Sequence, residues 1–217
     1  MDKIITKKEV KQKLVNQLES ILITDNFKLN KSTGFINRKS QGKLESVFFR
    51  VLNYWPLCQE IEYVGFSIRF DTVEKIVNTF LSKYNFFNIE CTKNTSTIGN
   101  SIFFNARIDN IENVDNFIHL HMNDIKQKVF DYFTKYNTIK DANQYKKNQI
   151  LNDTSSLKGL NYHVDNFMQS LTLMKLCNDP DFEDLSQKYK ELYTSWGGCE
   201  EVGIKAINDL IEYLSRK

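Results

Sequence analysis

Within Lys43–Trp55 and again within Glu60–Asp71 apolar residues recur at every second position, and that spacing commits both segments to strands. Val47, Phe49 and Val51 share one face of KLESVFFRVLNYW (43–55), and Val64, Phe66, Ile68 and Phe70 share one face of EIEYVGFSIRFD (60–71). Side chains alternate across a strand with period two, so each set defines an inward side and leaves the intervening residues on the other. GFINRKS (34–40) precedes them across a tight turn at Gln41-Gly42, and SIFFNARID (101–109) repeats the alternation with Ile102, Phe104, Ala106 and Ile108 inward. One apolar and one polar face per strand is the pattern of an antiparallel sheet with one side on a core.

Around this block the period becomes helical. Val10, Leu14, Leu18, Ile21 and Leu22 predict a helix over about 7–24, opened by a capping box at Thr6 and Glu9 and stopped at Asp25-Asn26. A second helix over about 72–84 carries Val73, Ile76, Val77, Phe80 and Leu81, with Asp71 and Glu74 as its capping signal. Asn85–Cys91 reads as a further short strand. A long helix over about 114–136 carries Phe117, Ile118, Ile125, Val129 and Phe133, and a short one spans 139–146. Three more helices are expected: Val164, Phe167, Met168 and Leu171 in the first; Phe182, Leu185, Tyr189 and Leu192 in the second, behind Asp179-Pro180; Val202, Ile207, Leu210, Ile211 and Leu214 in the third, after Gly197-Gly198.

Runs of strands followed by runs of helices define an α+β fold. The expectation is an antiparallel sheet of four to five strands packed on helices, followed by a C-terminal helical subdomain. The polar stretch KNQILNDTSSLK (147–158) reads as a linker between an α+β domain (1–146) and a three-helix extension (159–217), either separate or packed with it as one domain.

Composition narrows the class of function. Twenty-nine basic residues balance 27 acidic ones for a net charge of +2, without the basic excess that marks most nucleic-acid binders. The opening MDKIITKKEVKQK has no apolar signal region and no segment reaches membrane-spanning length, so a cytoplasmic protein without a membrane partner is expected. Cys58, Cys91, Cys177 and Cys199 are widely spaced and read as reduced thiols.

Linear chemistry is missing. His119 and His121 would share an ion on a strand, but two positions apart on a helix they point about 200° away from each other. His163 has no ligand-type neighbour, and Gly159 and Gly197-Gly198 stand outside any phosphate-loop frame. Glu60/Glu62 and Glu200/Glu201 are carboxylate pairs of the kind common on solvated faces. No catalytic residue, metal or cofactor is nominated.

Arginine placement is more informative. Five arginines occur among the basic residues, and Arg38, Arg50, Arg69 and Arg107 all fall in predicted strands. Arg50, Arg69 and Arg107 lie opposite the inward sets, on the side that holds Phe48, Leu52, Tyr54, Tyr63 and Phe103. Arg offers a rigid donor fork and stacks on rings, which Lys does not, so this is a candidate binding face for an acidic partner. Two plainer readings stand beside it: the arginines pair with carboxylates such as Asp71 and Asp109, or the C-terminal helices cover the face. A basic N-terminal helix (Lys3, Lys7, Lys8, Lys11, Lys13) offers a second charged surface, most simply a solvated one.

The run DNFKLNKSTGFINRK followed by FFRVLNYW and YVGFSIRF resembles a family of uncharacterised bacterial α+β proteins, a domain of unknown function with a leading helix and an antiparallel sheet. The resemblance covers roughly residues 7–145 and rests on Phe27, Gly34, Phe35 and Arg38. It implies no catalytic residues; some similar small bacterial proteins are immunity proteins that bind and neutralise a toxin. The expected function is therefore that of a non-enzymatic binding protein with another protein as partner. A nucleic-acid-binding module using the arginine–aromatic face is the alternative, and an enzyme with a scattered site a third.

Overall fold

A computed structural model of the chain describes residues 5–54, 58–86, 96–152, 164–195 and 201–216. The fold is α+β, with an N-terminal helix, a five-stranded antiparallel sheet and a set of C-terminal helices. It divides into two compact units: Met1–Ile68 with Gly99–Lys135, and Arg69–Ile98 with Tyr136–Lys217.

In the first unit, α1 (Lys7–Leu22) starts at the capping box read from sequence, with Thr6 Oγ1 accepting from the Glu9 amide and Glu9 Oε2 from the Thr6 amide. A 3₁₀ turn, Ile23–Asp25, carries it to Asn26, whose left-handed φ of 65° ends the element. The strands β1 (Lys28–Asn30), β2 (Phe35–Ser40), β3 (Lys43–Tyr54), β4 (Cys58–Phe70) and β5 (Ile98–Ile108) lie in sequence order across the sheet. Strand β1, three residues long, gives no periodic signal; it exists because Lys28–Asn30 pair with Phe35–Asn37. Ser40 opposite Lys43 closes the two-residue turn, where Gly42 has φ 71°.

One sheet face carries the core. Ile36, Val47, Phe49, Val51, Ile61, Val64, Phe66 and Ile68 are buried there. Helices α1 and α3 (Ile111–Lys135) pack on each other and cover that face, with Phe66 on Tyr132 and Phe104 on Phe117 at ring-centroid distances of 4.9 Å each. Arg38 belongs to this side. It lies opposite Glu45, pairs with it, and covers the Phe27 ring at 4.7 Å, while Lys43 Nζ reaches the same buried carboxylate at 2.8 Å.

The second unit is helical, built on α2 (Asp71–Lys83), α4 (Ile139–Asn152), α5 (Val164–Leu176), α6 (Phe182–Ser195) and α7 (Glu201–Ser215). Helix α5 is its axis, packed by all four others. Sequence periodicity predicts an amphipathic α5, but every residue from Phe167 to Met174 is buried, Gln169, Ser170 and Thr172 included. A helix surrounded by helices has no solvent stripe, so Gln169 and Ser170 take partners inside, while the Thr172 hydroxyl is buried without one.

Three expectations need revision. The capping box at Asp71 and Glu74 does not form: no side chain caps α2, Asp71 takes Arg69, and Glu74 turns inward. On α7, Val202 is exposed rather than inward. The chain also divides otherwise than at 147–158. Helix α4 continues to Asn152, and residues 69–98 group with the C-terminal helices because α2 packs on α5. Residues 153–158, the Leu192 side chain, and most of the segment read as a strand over 85–91 lie outside the described residues; Asn85 itself is in a turn with φ 58°.

Candidate functional site

The outward face of the first unit's sheet is made by alternation. On β3, Phe48, Arg50, Leu52 and Tyr54 stand between the buried Val47, Phe49 and Val51. On β4 the buried side chains run Gln59, Ile61, then Val64, Phe66, Ile68 and Phe70, with Gly65 buried under the Phe48 ring, so the parity slips by one at Glu62-Tyr63, the pattern of a β-bulge. The slip puts two consecutive side chains on the outward side, and Arg50 meets both. Its Nε lies 2.6 Å from Glu62 Oε2, an ion pair without hydrogen-bond alignment, and its guanidinium lies 5.7 Å from the Tyr63 ring centroid. The Tyr63 hydroxyl foremost, then Glu62, raise the Arg50 pKa above its usual value.

Four rings cross the sheet in a row. Phe35 meets Phe48 edge-on at 4.7 Å, Phe48 meets Tyr63 at 6.1 Å, and Tyr63 meets Phe103 at 5.3 Å, one ring from each of β2 to β5. Cross-strand aromatic pairs stabilise a sheet, which accounts for the inner rings. Phe103, at the end of the row on β5, is 64% exposed, and Tyr54 is 48% exposed.

The arginines are paired, as the plainer sequence reading expects. Arg107 Nε donates to Asp109 Oδ1 at 2.8 Å and Oδ2 at 3.1 Å, and this pairing raises its pKa. Arg69 is the first residue of the second unit and binds Asp71 Oδ1 through Nη2 at 2.7 Å. The first unit thus joins Arg50 to Phe48, Tyr63 and Phe103 through direct ring and ion-pair contacts, with Tyr54 and Arg107 on the same side. Arg69 is held locally within the other unit.

His119 and His121 lie on α3, as helical geometry requires. His119 is exposed, while the His121 ring packs on Phe104 and Phe117 at 5.0 and 4.9 Å. No group of three or more His, Cys, Asp or Glu suited to a metal occurs among the described residues. His163, Gly159, Gly197, Gly198 and Glu200 lie outside them.

Sequence reasoning missed a buried polar chain inside the second unit. Lys146 Nζ donates to Asn166 Oδ1 at 2.8 Å and Gln169 Oε1 at 3.3 Å. Gln169 Nε2 donates to Glu74 Oε1 at 3.0 Å and to the Ser96 carbonyl at 3.1 Å. Thr97 Oγ1 donates to the same Glu74 oxygen at 2.7 Å and accepts from the Phe70 amide at 3.0 Å. Burial pushes the Lys146 pKa down to about 8, against the opposing pull of Asp165 and Glu74. A Lys on a helix and a Glu placed like a capping residue give no linear sign of meeting. The one available signal was Gln169, Ser170 and Thr172 interrupting an apolar helix.

Fold and site together define an α+β protein with an aromatic, charge-paired sheet face and a helical unit tied by an internal polar chain. No family model, curated protein or solved structure matches the chain. No helix among the described residues is long and apolar enough to cross a membrane.

Proposed function

We propose that this chain is a non-enzymatic binding protein, of the immunity or regulatory type, that engages another protein through the outward face of its sheet. The observation that carries this reading is Phe103, 64% exposed at the end of a continuous row of rings, with Tyr54 exposed on the same side. Aromatic side chains and arginine are the residues that most often dominate binding energy at protein interfaces. Arg50 and Arg107 are held by their carboxylates, so little side-chain entropy is lost when a partner takes their remaining donors.

Charge favours a protein over a nucleic acid. Glu62 offsets Arg50 and Asp109 offsets Arg107, which leaves little net positive charge for a phosphate backbone. The ring row does suit stacked bases, and that competing reading requires salt-sensitive binding of single-stranded oligonucleotides. No binding at low salt removes it.

The test is capture of partners from an extract of the source cells on the full chain, identification by mass spectrometry, and affinity measurement with purified partner. Phe103→Ala should weaken binding by at least about tenfold. Leu120→Ala, an equally exposed apolar position on α3, should leave it unchanged. Unchanged affinity in a Phe103→Ala/Arg50→Ala double variant would overturn the proposal.

A further inference from the structure

A cleft of about 600 Å³ opens between α1 and the turn joining β1 to β2. Lys8 and Lys11 reach it from the helix and Lys31 from the turn. We infer that it binds a small organic phosphate, with the phosphate held by these lysines.

Unspent charge is the first argument. Among the described residues no carboxylate pairs with Lys8, Lys11 or Lys31, whereas Lys13, farther along the same helix, is taken by Asp115 at 2.5 Å. The acid in the lining, Glu19, accepts from the Leu29 amide at 3.0 Å, and three ammonium groups stand against its one carboxylate. Three ammonium groups around one opening repel each other, and an anion relieves that repulsion.

Position is the second. Lys11 is half-buried against Gly34, where a Cβ would lie 3.0 Å from its Cε and 3.1 Å from its Nζ. Gly34 has φ 70°, so the turn needs glycine for its backbone, and the missing side chain leaves room for the lysine. The opposite rim is tied as well. Asn30 Oδ1 accepts from the Ser32 amide at 3.1 Å and hydroxyl at 2.7 Å, and the Gly34 amide donates to the Asn30 carbonyl at 2.8 Å.

The lining supports the ligand class. Lysine ammoniums bind phosphate groups as point charges, and three of them around one opening match the charge of a phosphate ester. The volume lies in the usual range for small-molecule sites and exceeds what a bare anion fills. Val15 and Leu29 supply apolar wall for an organic body. This site is separate from the sheet face and does not depend on the function proposed for it.

Isothermal titration of the full chain with inorganic phosphate, adenosine 5′-monophosphate and adenosine, at matched low ionic strength, tests the inference. The phosphate ester should bind, inorganic phosphate more weakly, and adenosine not at all. Lys11→Met and Lys31→Met should each weaken the ester about tenfold, as loss of a charge-assisted contact implies. Lys31 is exposed on the turn, so its variant serves even where Lys11→Met fails to fold. Lys39→Met, outside the cleft, should have no effect. Absence of binding by both phosphate probes overturns the inference, as does an ester no tighter than phosphate or an equal loss in Lys39→Met.

Discussion

Phe48 occupies the space into which Gly65 would project a side chain: a Cβ built there falls under 3.0 Å from three atoms of the ring. Glycine inside a strand exposes backbone and loses packing, and a ring from the neighbouring strand restores the cover. The same contact fixes Phe48 between Phe35 and Tyr63, so the ring row depends on a residue with no side chain.

Gly65→Ala should therefore destabilise the protein by about 1–3 kcal/mol, the usual cost of overpacking, as read from urea unfolding. Phe48→Ala removes the ring that clashes, so the double variant should lose less than the sum of the two single ones.

The buried chain in the second unit gives a larger effect. Glu74→Ala removes the acceptor of Thr97 and one of two acceptors of Gln169, and strips a nearby negative charge from buried Lys146. Breaking a buried charged network from one side costs about 3–5 kcal/mol. Urea midpoints should fall accordingly, and Glu74→Gln, which keeps an acceptor oxygen, should fall less.

Stability should rise on the alkaline side of neutrality. Lys146 gives up its proton near pH 8 in the folded chain, against 10.5 for a free lysine. Between those values the unfolded chain binds more protons, so unfolding becomes harder as pH increases, by on the order of 3 kcal/mol in total. Above about pH 10 the sign reverses, because burial raises the Tyr145 and Tyr189 pKa values and the unfolded chain ionises its phenols first. Urea midpoints measured at roughly pH 7 and roughly pH 9.5 should show the rise, and Lys146→Met should remove it.

Two strand arginines should respond differently to the same change. Arg38→Lys loses the stacking on Phe27 and the rigid donor fork on buried Glu45, which Lys43 still pairs, and should cost about 1–2 kcal/mol. Arg50→Lys alters an ion pair whose Arg side chain is 54% exposed, and should change stability by less than about 1 kcal/mol. A loss of partner binding in Arg50→Lys would then report the interface and not the fold; denaturation and affinity measured on the same samples separate the two.

The strands over 43–54, 58–70 and 98–108 were legible because their inward sets repeat every second residue, and the one over 35–40 because a tight turn at Gln41-Gly42 joins it to the next. So was the Thr6–Glu9 cap, whose signal lies within four residues. The same local signal misled at Asp71 and Glu74, where Arg69 and the buried chain through Gln169 offered stronger partners than a helix end. Strand β1 was invisible because its three residues follow their pairing with β2 rather than any period of their own.

Alternation by itself determined which side of each strand faces the core, and so placed Phe48, Arg50, Tyr63 and Phe103 together on the other side. That is a property of backbone geometry, readable one segment at a time. Tertiary structure decided which rings touch and which carboxylate holds each arginine. It also decided that α5 is buried on every side, and that Lys146 and Glu74 belong to one chain of hydrogen bonds. These depend on elements far apart in sequence meeting in space, where burial makes an unmatched polar group costly enough to select its partner.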